Sequence, residues 1–263
     1  MTAERMAYPE FMGRVVVITG GGNGLGLEIA RRFAENKAKI VLVDQDQKAL
    51  DQAISVIGLD GVKEDSSAFC CSVTDEVRIG QVFNEIEQQY GRIDVLINNA
   101  GISMNVPTID LQAEAWRLAM DVNVNGIFYC AQEAGKRMLK QRKGVVINMS
   151  SMYGVVAAPE RAAYCTSKAA VAMLTKVLAI EWGDQGVRVN AIAPGYIQTE
   201  LVRDLVARGR MDLDALRQRT PVKRLGTPED IAALALFMAS DQASFMNGHV
   251  AVSDGGWSAY GYI

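Results

Sequence analysis

The chain has 263 residues and a formal net charge of −3, with 30 acidic and 27 basic residues, one histidine and four cysteines. These counts exclude a metal site built from several histidines, and no Cys-x-x-Cys spacing of the zinc type occurs, so we expect no metal ion. The slightly acidic balance lacks the basic footprint of a nucleic-acid-binding protein.

The chain carries no pattern typical of a membrane or secreted protein. No apolar run reaches the ~18 residues expected of a membrane span. Segment 1–11 lacks the apolar core of a secretory signal. The four cysteines look reduced, so we expect a cytoplasmic protein without membrane or nucleic-acid partners.

Short apolar runs rich in valine and isoleucine alternate along the chain with helical patterns. Such near-continuous runs are typical of strands covered on both faces, which occur in parallel sheets. The predicted strands lie at 15–18, 39–43, 67–71, 95–97, 145–147, 187–192 and 250–252, and the predicted helices include 24–35, 75–90, 111–140, 161–182 and 228–239. This order predicts an α/β fold with a Rossmann-like, doubly wound parallel sheet of about seven strands and helices on both faces.

No break in composition divides the chain, so we expect residues 1–263 to form a single domain. The one irregular region is 198–219, which is polar and holds five arginines. A doubly wound fold places a segment that follows a strand above the carboxyl ends of the strands, where ligands bind. We predict that 198–219 is a substrate lid; a solvated helical excursion is the alternative.

A glycine-rich turn, Thr19 to Gly26, lies between the first predicted strand and the first helix. Glycine lets a backbone turn with positive φ and approach a pyrophosphate closely. The following helix presents free N–H groups and its positive dipole end to that phosphate. The strict G-x-G-x-x-G spacing is not met, but T-G-x-x-x-G-x-G is, and a plain tight turn remains the alternative.

The second predicted strand is followed by Asp44, at a position where an acid can accept hydrogen bonds from the adenosine ribose. Its carboxylate would repel a 2′-phosphate, and no basic residue lies in the glycine turn or directly after Asp44. We therefore predict NAD rather than NADP. A helix-capping role for Asp44 is the alternative.

Tyr164 and Lys168 lie one helical turn apart and so share a helix face. A nearby ammonium favours the phenolate form of tyrosine, which brings the phenol towards a pKa useful for general acid–base catalysis. Ser151 follows the fifth predicted strand at the same edge of the sheet, where its hydroxyl could hold a substrate oxygen. Each residue alone has an ordinary structural explanation, whereas the combination is much rarer by chance.

These patterns together resemble the short-chain dehydrogenase/reductase (SDR) family, in its branch of roughly 250 residues. The resemblance extends from residue 13 to about residue 256. The segments that carry it are TGGGNGLG at 19–26, NNAG at 98–101, VNVNG at 122–126, Ser151, YCTSK at 164–168, PG at 194–195 and DGG at 254–256.

The resemblance implies a role for each matching residue. Tyr164 would be the acid/base, Lys168 would lower its pKa and bind the nicotinamide ribose, and Ser151 would orient the substrate oxygen. Asn123 would hold a water that links Lys168 to solvent. Ser72 stands where the family usually has an acid that touches adenine, which puts cofactor affinity in doubt. The implied cofactor-binding set is Gly20, Asn23, Gly24, Leu25, Gly26, Asp44, Ser72, Val73, Asn99, Tyr164, Lys168, Ile197 and Thr199.

The predicted function is hydride transfer with NAD(H) between a secondary alcohol, such as a polyol or hydroxy acid, and its ketone. Three alternatives stay open: a 3-oxoacyl thioester reductase of the same family, a non-catalytic nucleotide-sensing relative, and a methyltransferase. The two long predicted helices at 111–140 and 161–182 carry more apolar surface than one sheet needs, and the family usually pairs such helices. We therefore expect a homodimer or homotetramer.

Overall fold

The computed structural model describes residues 8–58, 66–199, 202, 206 and 211–261. In these residues seven strands form one sheet in which every neighbouring pair is parallel. The sheet order is β3-β2-β1-β4-β5-β6-β7. The strands are β1 Val15–Thr19, β2 Lys39–Asp44, β3 Ser67–Cys70, β4 Val95–Asn98, β5 Gly144–Met149, β6 Val187–Pro194 and β7 Val250–Ser253.

Helices connect the strands and cover the sheet. The predicted helix at 228–239 is present and begins with a capping box. The Thr227 side chain accepts from the Asp230 backbone N–H, and the Asp230 carboxylate accepts from the Thr227 N–H. The α-helices of the described residues are α1 Gly24–Glu35, α2 Gln47–Ile57, α3 Glu76–Tyr90, α4 Ala113–Met120, α5 Gly126–Gln141, α6 Ala162–Trp182, α7 Leu213–Arg219 and α8 Pro228–Ala239.

The core has two layers, one on each face of the sheet. Along β1, Val16 and Ile18 pack into one apolar cluster, and Val15 and Val17 pack into the other. Successive side chains of a strand point to opposite faces, so burial of both sets requires helices on both sides. The first cluster contains residues of α1, α2 and α8, and the second contains residues of α3, α5 and α6. The predicted Rossmann-like architecture is confirmed.

Strand β1 lies between β2 and β4, and this adjacency creates the binding crevice. Helix α1, which follows β1, packs on one face of the sheet, and α5, which comes after β4, packs on the other face. The loops after the two strands therefore diverge at the carboxyl edge of the sheet. Ligands of doubly wound folds bind at such a point of strand-order reversal.

The helix predicted over 111–140 is present from Ala113 to Gln141, but a π turn interrupts its regular pattern. Helix α4 ends at Met120, and Asp121–Asn125 form a π turn before α5 begins. The Gly126 N–H donates to the Asp121 carbonyl, five residues back, which is the π-helical pattern. A π turn inserts one extra residue into a helix and is frequent at functional sites. Here it carries Asn123, whose contacts are described below.

The segment predicted as a lid is only partly described. Residues 200, 201, 203–205 and 207–210 lie outside the described residues. The described end of the segment contains α7, which begins after Asp212, whose carboxylate accepts from the Asp214 and Ala215 N–H groups. Helix α2, which we did not single out from the sequence, begins in the same way after Asp46.

Helix α6 with the short turn after it is the one stretch of the described residues that is long and apolar enough, by length and mean hydropathy, to span a membrane. The 24 residues Ala162–Gln185 have a mean hydropathy of 1.3 over the most apolar window, which suffices by length and composition alone. Core helices of soluble enzymes also meet this criterion. In this fold Val171, Thr175 and Leu178 of α6 are buried within the molecule.

A buried polar ladder joins β4, β5 and α6. The Asn98 side-chain nitrogen donates to Asn148 Oδ1 at 2.9 Å, and Asn148 Nδ2 donates to Thr175 Oγ1 at 2.9 Å. Thr175 in turn donates to the Val171 carbonyl at 2.8 Å. All three side chains are fully buried. The ladder therefore fixes the positions of the two strands and the helix that carry the site described below.

Replacing Asn148 with alanine is expected to destabilise the fold by about 2–3 kcal/mol, because Asn98 and Thr175 each lose a buried partner. For a chain of this size the loss corresponds to a decrease in Tm of roughly 5–10 °C. Thermal unfolding followed by circular dichroism measures the shift. The exposed pair Gln47–Asp51 provides the control, since Gln47→Ala should change stability by no more than about 0.5 kcal/mol. Equal effects of the two substitutions would contradict a structural role for the ladder.

Candidate active site

The turn after β1 has a shape that requires glycine at two positions. Gly20 has φ +62°, and a Cβ there would lie 2.9 Å from the Ala100 Cα. A Cβ on Gly26 would collide with the Gly20 carbonyl oxygen and lie 2.6 Å from Asn99 Nδ2. The backbone of α1 is therefore packed directly against the turn and the loop after β4. Close helix packing at the last glycine is typical of dinucleotide-binding turns.

A cavity of about 580 Å³ opens above the glycine turn at the carboxyl edge of the sheet. Asn23 precedes α1 with extended backbone and makes no side-chain cap, so the first N–H groups of α1 are free to face a ligand. The cavity volume lies within the range of small-molecule and cofactor sites. Its lining is Gly20, Asn23, Gly24, Leu25, Val43, Asp44, Gln45, Cys71, Ser72, Val73, Asn99, Ala100, Gly101, Ile102, Val122 and Thr199.

Asp44 lies at the end of β2 on the wall of this cavity. Its Oδ2 accepts from the Gly22 N–H at 3.0 Å, and its Oδ1 accepts from the Asp46 N–H at 3.1 Å. The carboxylate is thus held beside the glycine turn, and Asp46 rather than Asp44 caps α2. The residues present fit a dinucleotide whose ribose hydroxyls donate to Asp44.

Hydrogen bonds from Asn99 connect the glycine turn to the loop after β4. Its Nδ2 donates to the carbonyl oxygens of Thr19 at 3.1 Å and Gly20 at 2.9 Å, and its backbone N–H donates to Thr19 Oγ1. The side chain lines the cavity as predicted. Its two amide hydrogens are already used by the backbone, so it shapes the turn in addition to any contact with a ribose.

Ser151, Tyr164 and Lys168 meet at the carboxyl edge of the sheet beyond β5. The Lys168 ammonium lies 5.8 Å from the centre of the Tyr164 ring. Ser151 is buried, accepts from the Tyr153 N–H at 3.1 Å and lies within hydrogen-bonding reach of the Tyr164 phenol. The structure therefore brings Ser151, which follows β5, together with Tyr164 and Lys168 of α6.

Burial raises the pKa of Tyr164 above its ordinary value of 10.0, and this effect outweighs the lowering by the Ser151 hydrogen bond and by the Arg161 charge. The resemblance to the SDR family implied a lowered pKa. The net direction in this structure is upward because the phenol lies among other side chains rather than in water. At neutral pH the Tyr164 side chain is therefore a phenol, a proton donor.

Lys168 is buried and its ammonium donates to the Met149 carbonyl at 2.7 Å. Burial lowers the pKa of Lys168 to about 8, because the charged form loses its hydration. The amine therefore changes its charge near neutral pH, beside the Tyr164 ring. A lysine with this property can pass a proton onward as well as hold a positive charge.

Asn123 is fully buried in the π turn and links three parts of the site. Its Oδ1 accepts from the Ile102 N–H at 2.8 Å, and its Nδ2 donates to the Ile102 carbonyl at 2.9 Å and to Ser167 Oγ at 3.0 Å. A Cβ built on Gly101 would lie 3.1 Å from Asn123 Oδ1 and 3.3 Å from Lys168 Nζ. Asn123 and Lys168 therefore both lie next to the backbone of Gly101, which lines the cavity.

The chain is similar to known proteins over most of its length. A family model described as "Enoyl-(Acyl carrier protein) reductase" matches residues 20–258. D-threitol dehydrogenase of Mycolicibacterium smegmatis is 37% identical over 94% of this chain and 93% of its own length. The chain belongs to the short-chain dehydrogenase/reductase family.

Solved structures of SDR proteins support the fold and the cofactor class. NAD+-bound xylitol dehydrogenase superposes with a TM-score of 0.88 at 31% identity, covering 94% of this chain and all of that one. ElxO with bound NADP gives a TM-score of 0.90 at 32% identity, covering 95% of this chain and all of that one. This SDR chain is therefore an oxidoreductase that uses a nicotinamide cofactor.

Most of the SDR cofactor residues predicted from the sequence line the cavity, and four do not. Gly26 lies inside α1, and Tyr164 and Lys168 lie beyond the cavity wall on α6. Ile197 is buried, pairs with Gly226 through its backbone and borders a second, smaller cavity. Their contacts with the cofactor remain predictions.

Sequence reasoning missed several lining residues of the SDR cofactor cavity. Most of them directly follow or precede residues that we did single out, such as Asn99, Asp44 and Asn123. Adjacency in sequence to a residue already singled out would therefore have identified most of them. The missed residues are Val43, Gln45, Cys71, Ala100, Gly101, Ile102 and Val122.

An aromatic wall lies on the substrate side of the SDR site. The hydroxyls of Tyr153 and Tyr196 are hydrogen-bonded at 2.9 Å. The Tyr196 ring meets the Trp257 ring edge-to-face at 5.2 Å, and the Arg219 guanidinium of α7 stacks on Trp257 at 4.8 Å. Trp257 directly follows the DGG motif at 254–256, but we did not single it out from the sequence. Through Arg219, the described end of the segment 198–219 contacts this aromatic wall.

The lowered pKa of Lys168 predicts a pH-dependent stability. The folded pKa of about 8 lies below the unfolded value of ~10.4, so the unfolded chain binds more protons between these values and wild-type stability rises with pH across this window. Lys168→Met removes this dependence. Its stability relative to wild type should fall by about 2 kcal/mol from about pH 7 to about pH 9.5.

Urea unfolding at fixed protein concentration across this pH range measures the difference. Lys176→Met, at an exposed lysine of the same helix, is the matched control and should follow the wild-type pH profile. Parallel profiles for wild type and Lys168→Met would show that the pKa of Lys168 is not lowered in the folded protein.

Proposed function

We propose that this SDR enzyme interconverts a secondary alcohol and its ketone with NAD(H), and that Tyr164 is the acid/base. The observation that supports the proposal most directly is the juxtaposition of Ser151, Tyr164 and the buried Lys168 beside the glycine-turn cavity. A bound nicotinamide would accept the hydride in oxidation and donate it in reduction. The fold supplies the proton chemistry and the positioning.

In oxidation, the Tyr164 phenol first passes its own proton towards Lys168. The resulting phenolate then accepts the proton of the alcohol, whose oxygen lies between Ser151 and Tyr164, as the carbinol carbon loses hydride. The oxygen keeps the electrons of the broken O–H bond, which form the second bond of the ketone. Lys168 accepts or returns a proton at Nζ, and Asn123 holds the neighbouring Ile102 backbone in place. Reduction reverses each transfer.

The proposal includes NAD as the preferred cofactor. Support comes from Asp44, whose carboxylate lies on the cavity wall with no basic side chain among the lining residues. A 2′-phosphate would meet that negative charge. Relatives bind NAD in one case and NADP in another, so the preference rests on this residue of the chain.

The substrate class is a secondary alcohol of the polyol or hydroxy-acid type. D-threitol dehydrogenase and xylitol dehydrogenase are both polyol dehydrogenases by name. A panel of polyols and hydroxy acids with NAD, followed at the NADH absorbance, tests the proposal. Turnover of secondary alcohols is the expected result, and lack of turnover with every alcohol, with NAD and with NADP, would overturn it.

A second candidate is reduction of a 3-oxoacyl thioester, which the same catalytic residues could perform. The matching family model carries the name of a reductase for acyl-carrier-protein substrates. Reduction of an acetoacetyl thioester with NADH and NADPH distinguishes the two. The family assignment removes the methyltransferase and the non-catalytic sensor as alternatives.

We also propose a cytoplasmic homodimer or homotetramer, with 198–219 as a substrate lid of a single-domain enzyme. Met173, Val177 and Ile180 of α6 are exposed and follow one another at helical spacing, so they form an apolar stripe. Leu118 and Phe128 add exposed apolar surface on α4 and α5. Such a surface is typical of subunit contacts. Light scattering coupled to gel filtration tests the assembly, and a monomer at micromolar concentration would contradict it.

A further inference from the structure

Arg161 directly precedes α6, three residues before Tyr164. Its guanidinium stacks on the Tyr153 ring at 5.0 Å and donates to Ser103 Oγ at 3.3 Å. Ser103 follows β4 and Tyr153 follows β5, so both contacts belong to loops at the carboxyl edge of the sheet. The positive charge of Arg161 also acts on the Tyr164 phenol, whose pKa it lowers. Arg161 therefore lies beside the reacting group.

The backbone holds Arg161 in this place. The preceding residue, Glu160, has φ +62°, a left-handed conformation that costs a residue with a side chain roughly 1–2 kcal/mol. The Val106 N–H donates to the Glu160 carbonyl at 2.8 Å and so fixes the turn. Strained backbone of this kind is found at ligand-binding positions.

The platform under the guanidinium is rigid as well. Tyr153 is buried, and its hydroxyl is bonded to Tyr196, whose ring packs against Trp257. Residues held by packing and by second contacts keep a binding group oriented before the ligand arrives. The stack on Tyr153 therefore presents the edge of the Arg161 guanidinium in a fixed direction.

Arg161 has unused hydrogen-bond donors. A guanidinium has five N–H donors. Among the described residues, Arg161 makes one side-chain hydrogen bond, to Ser103, and forms no ion pair. Other partly buried arginines of the chain differ: Arg32 pairs with Glu28, and Arg137 pairs with Glu133. The adjacent acid, Glu160, forms no ion pair with Arg161 in the described residues.

We propose that Arg161 binds the carboxylate of the substrate, so that the enzyme acts on short-chain hydroxy acids in preference to neutral polyols. The planar guanidinium fork matches a carboxylate in two parallel hydrogen bonds. Arg161 lies three residues before Tyr164 and its charge acts on the Tyr164 phenol, so a carboxylate at Arg161 and an alcohol at Tyr164 would belong to a short substrate. The inference rests on the proposed function, because it assumes that the alcohol oxygen lies at Tyr164.

The test compares matched acid and alcohol pairs: gluconate with glucitol, threonate with threitol, and glycerate with glycerol. We expect a higher kcat/KM for the acid of at least one pair in the wild type. Arg161→Gln should lower kcat/KM for that acid by about 10–100-fold, the range for losing a charged hydrogen bond. The matched alcohol should change less, and Arg161→Lys should recover part of the loss. Arg117→Gln, at an exposed arginine of α4 paired with Glu114, is the control.

Two results separate this inference from the proposed function. Equal losses for acid and alcohol, or a wild-type preference for the alcohol in all three pairs, would overturn the role of Arg161 and leave the alcohol dehydrogenase activity standing. Binding gives a readout independent of turnover: gluconate should raise the Tm of the NADH complex in wild type but not in Arg161→Gln. An equal effect of gluconate on both proteins would overturn the inference even if no substrate were turned over.

Discussion

Replacing Tyr164 with phenylalanine is expected to lower kcat by about 10²–10⁴-fold, the usual contribution of a positioned general acid/base. The substitution removes one oxygen and keeps the ring that packs beside Lys168. The alcohol then has no acceptor for its proton, and Ser151 can still hold the substrate oxygen. The KM for the cofactor should change little, because the cavity lining does not include Tyr164.

Steady-state rates with the best alcohol of the panel and fluorescence titration with NADH measure the two effects separately. Tyr90→Phe is the control: its hydroxyl donates to Ser67 at 3.0 Å, far along the chain from the site, and turnover should be retained. Tyr164→Phe with near-wild-type turnover would show that another group carries the proton.

Replacing Asp44 with asparagine is expected to shift cofactor preference from NAD towards NADP by on the order of a hundredfold in the ratio of kcat/KM values. A charge placed next to a like charge costs several kcal/mol, and each 1.4 kcal/mol is tenfold. Asparagine keeps one carbonyl oxygen to accept from the Gly22 N–H, so the glycine turn should stay in place. The variant thus changes charge with little change of shape.

The measurement is kcat/KM for NAD and NADP with the same alcohol, for wild type and variant. Asp51→Asn removes an exposed carboxylate from α2 without altering the cavity, and its preference should equal that of the wild type. A wild-type enzyme that prefers NADP would contradict the prediction at once. So would an Asp44→Asn variant with unchanged preference.

The strands were predictable because the parallel sheet is covered on both faces. Runs such as Val15–Thr19 and Lys39–Asp44 are almost entirely buried, so nearly every position in them is apolar. The juxtaposition of the candidate catalytic residues was predictable for a related reason: each lies at the carboxyl end of a strand or on the helix that follows it. Topology alone brings such positions to one edge.

Other features depend on contacts between distant parts of the chain. The π turn is stabilised by bonds from Asn123 to Ile102 and Ser167, which lie outside the local helical pattern. The low pKa of Lys168 follows from complete burial, whereas its sequence neighbours include exposed residues. Trp257 belongs to the aromatic wall because its ring packs against Tyr196, which lies far away in the sequence.

The π turn has a further consequence for how the length of this chain can vary. An α-helix advances by about 100° per residue, so removal of one residue from Asp121–Asn125 would rotate α4 by about that angle against α5. The rotation would carry Asn123 away from Ile102 and open the loop that borders both the cofactor and Lys168. The number of residues in the helical run from α4 to α5 is therefore constrained by the contacts of Asn123.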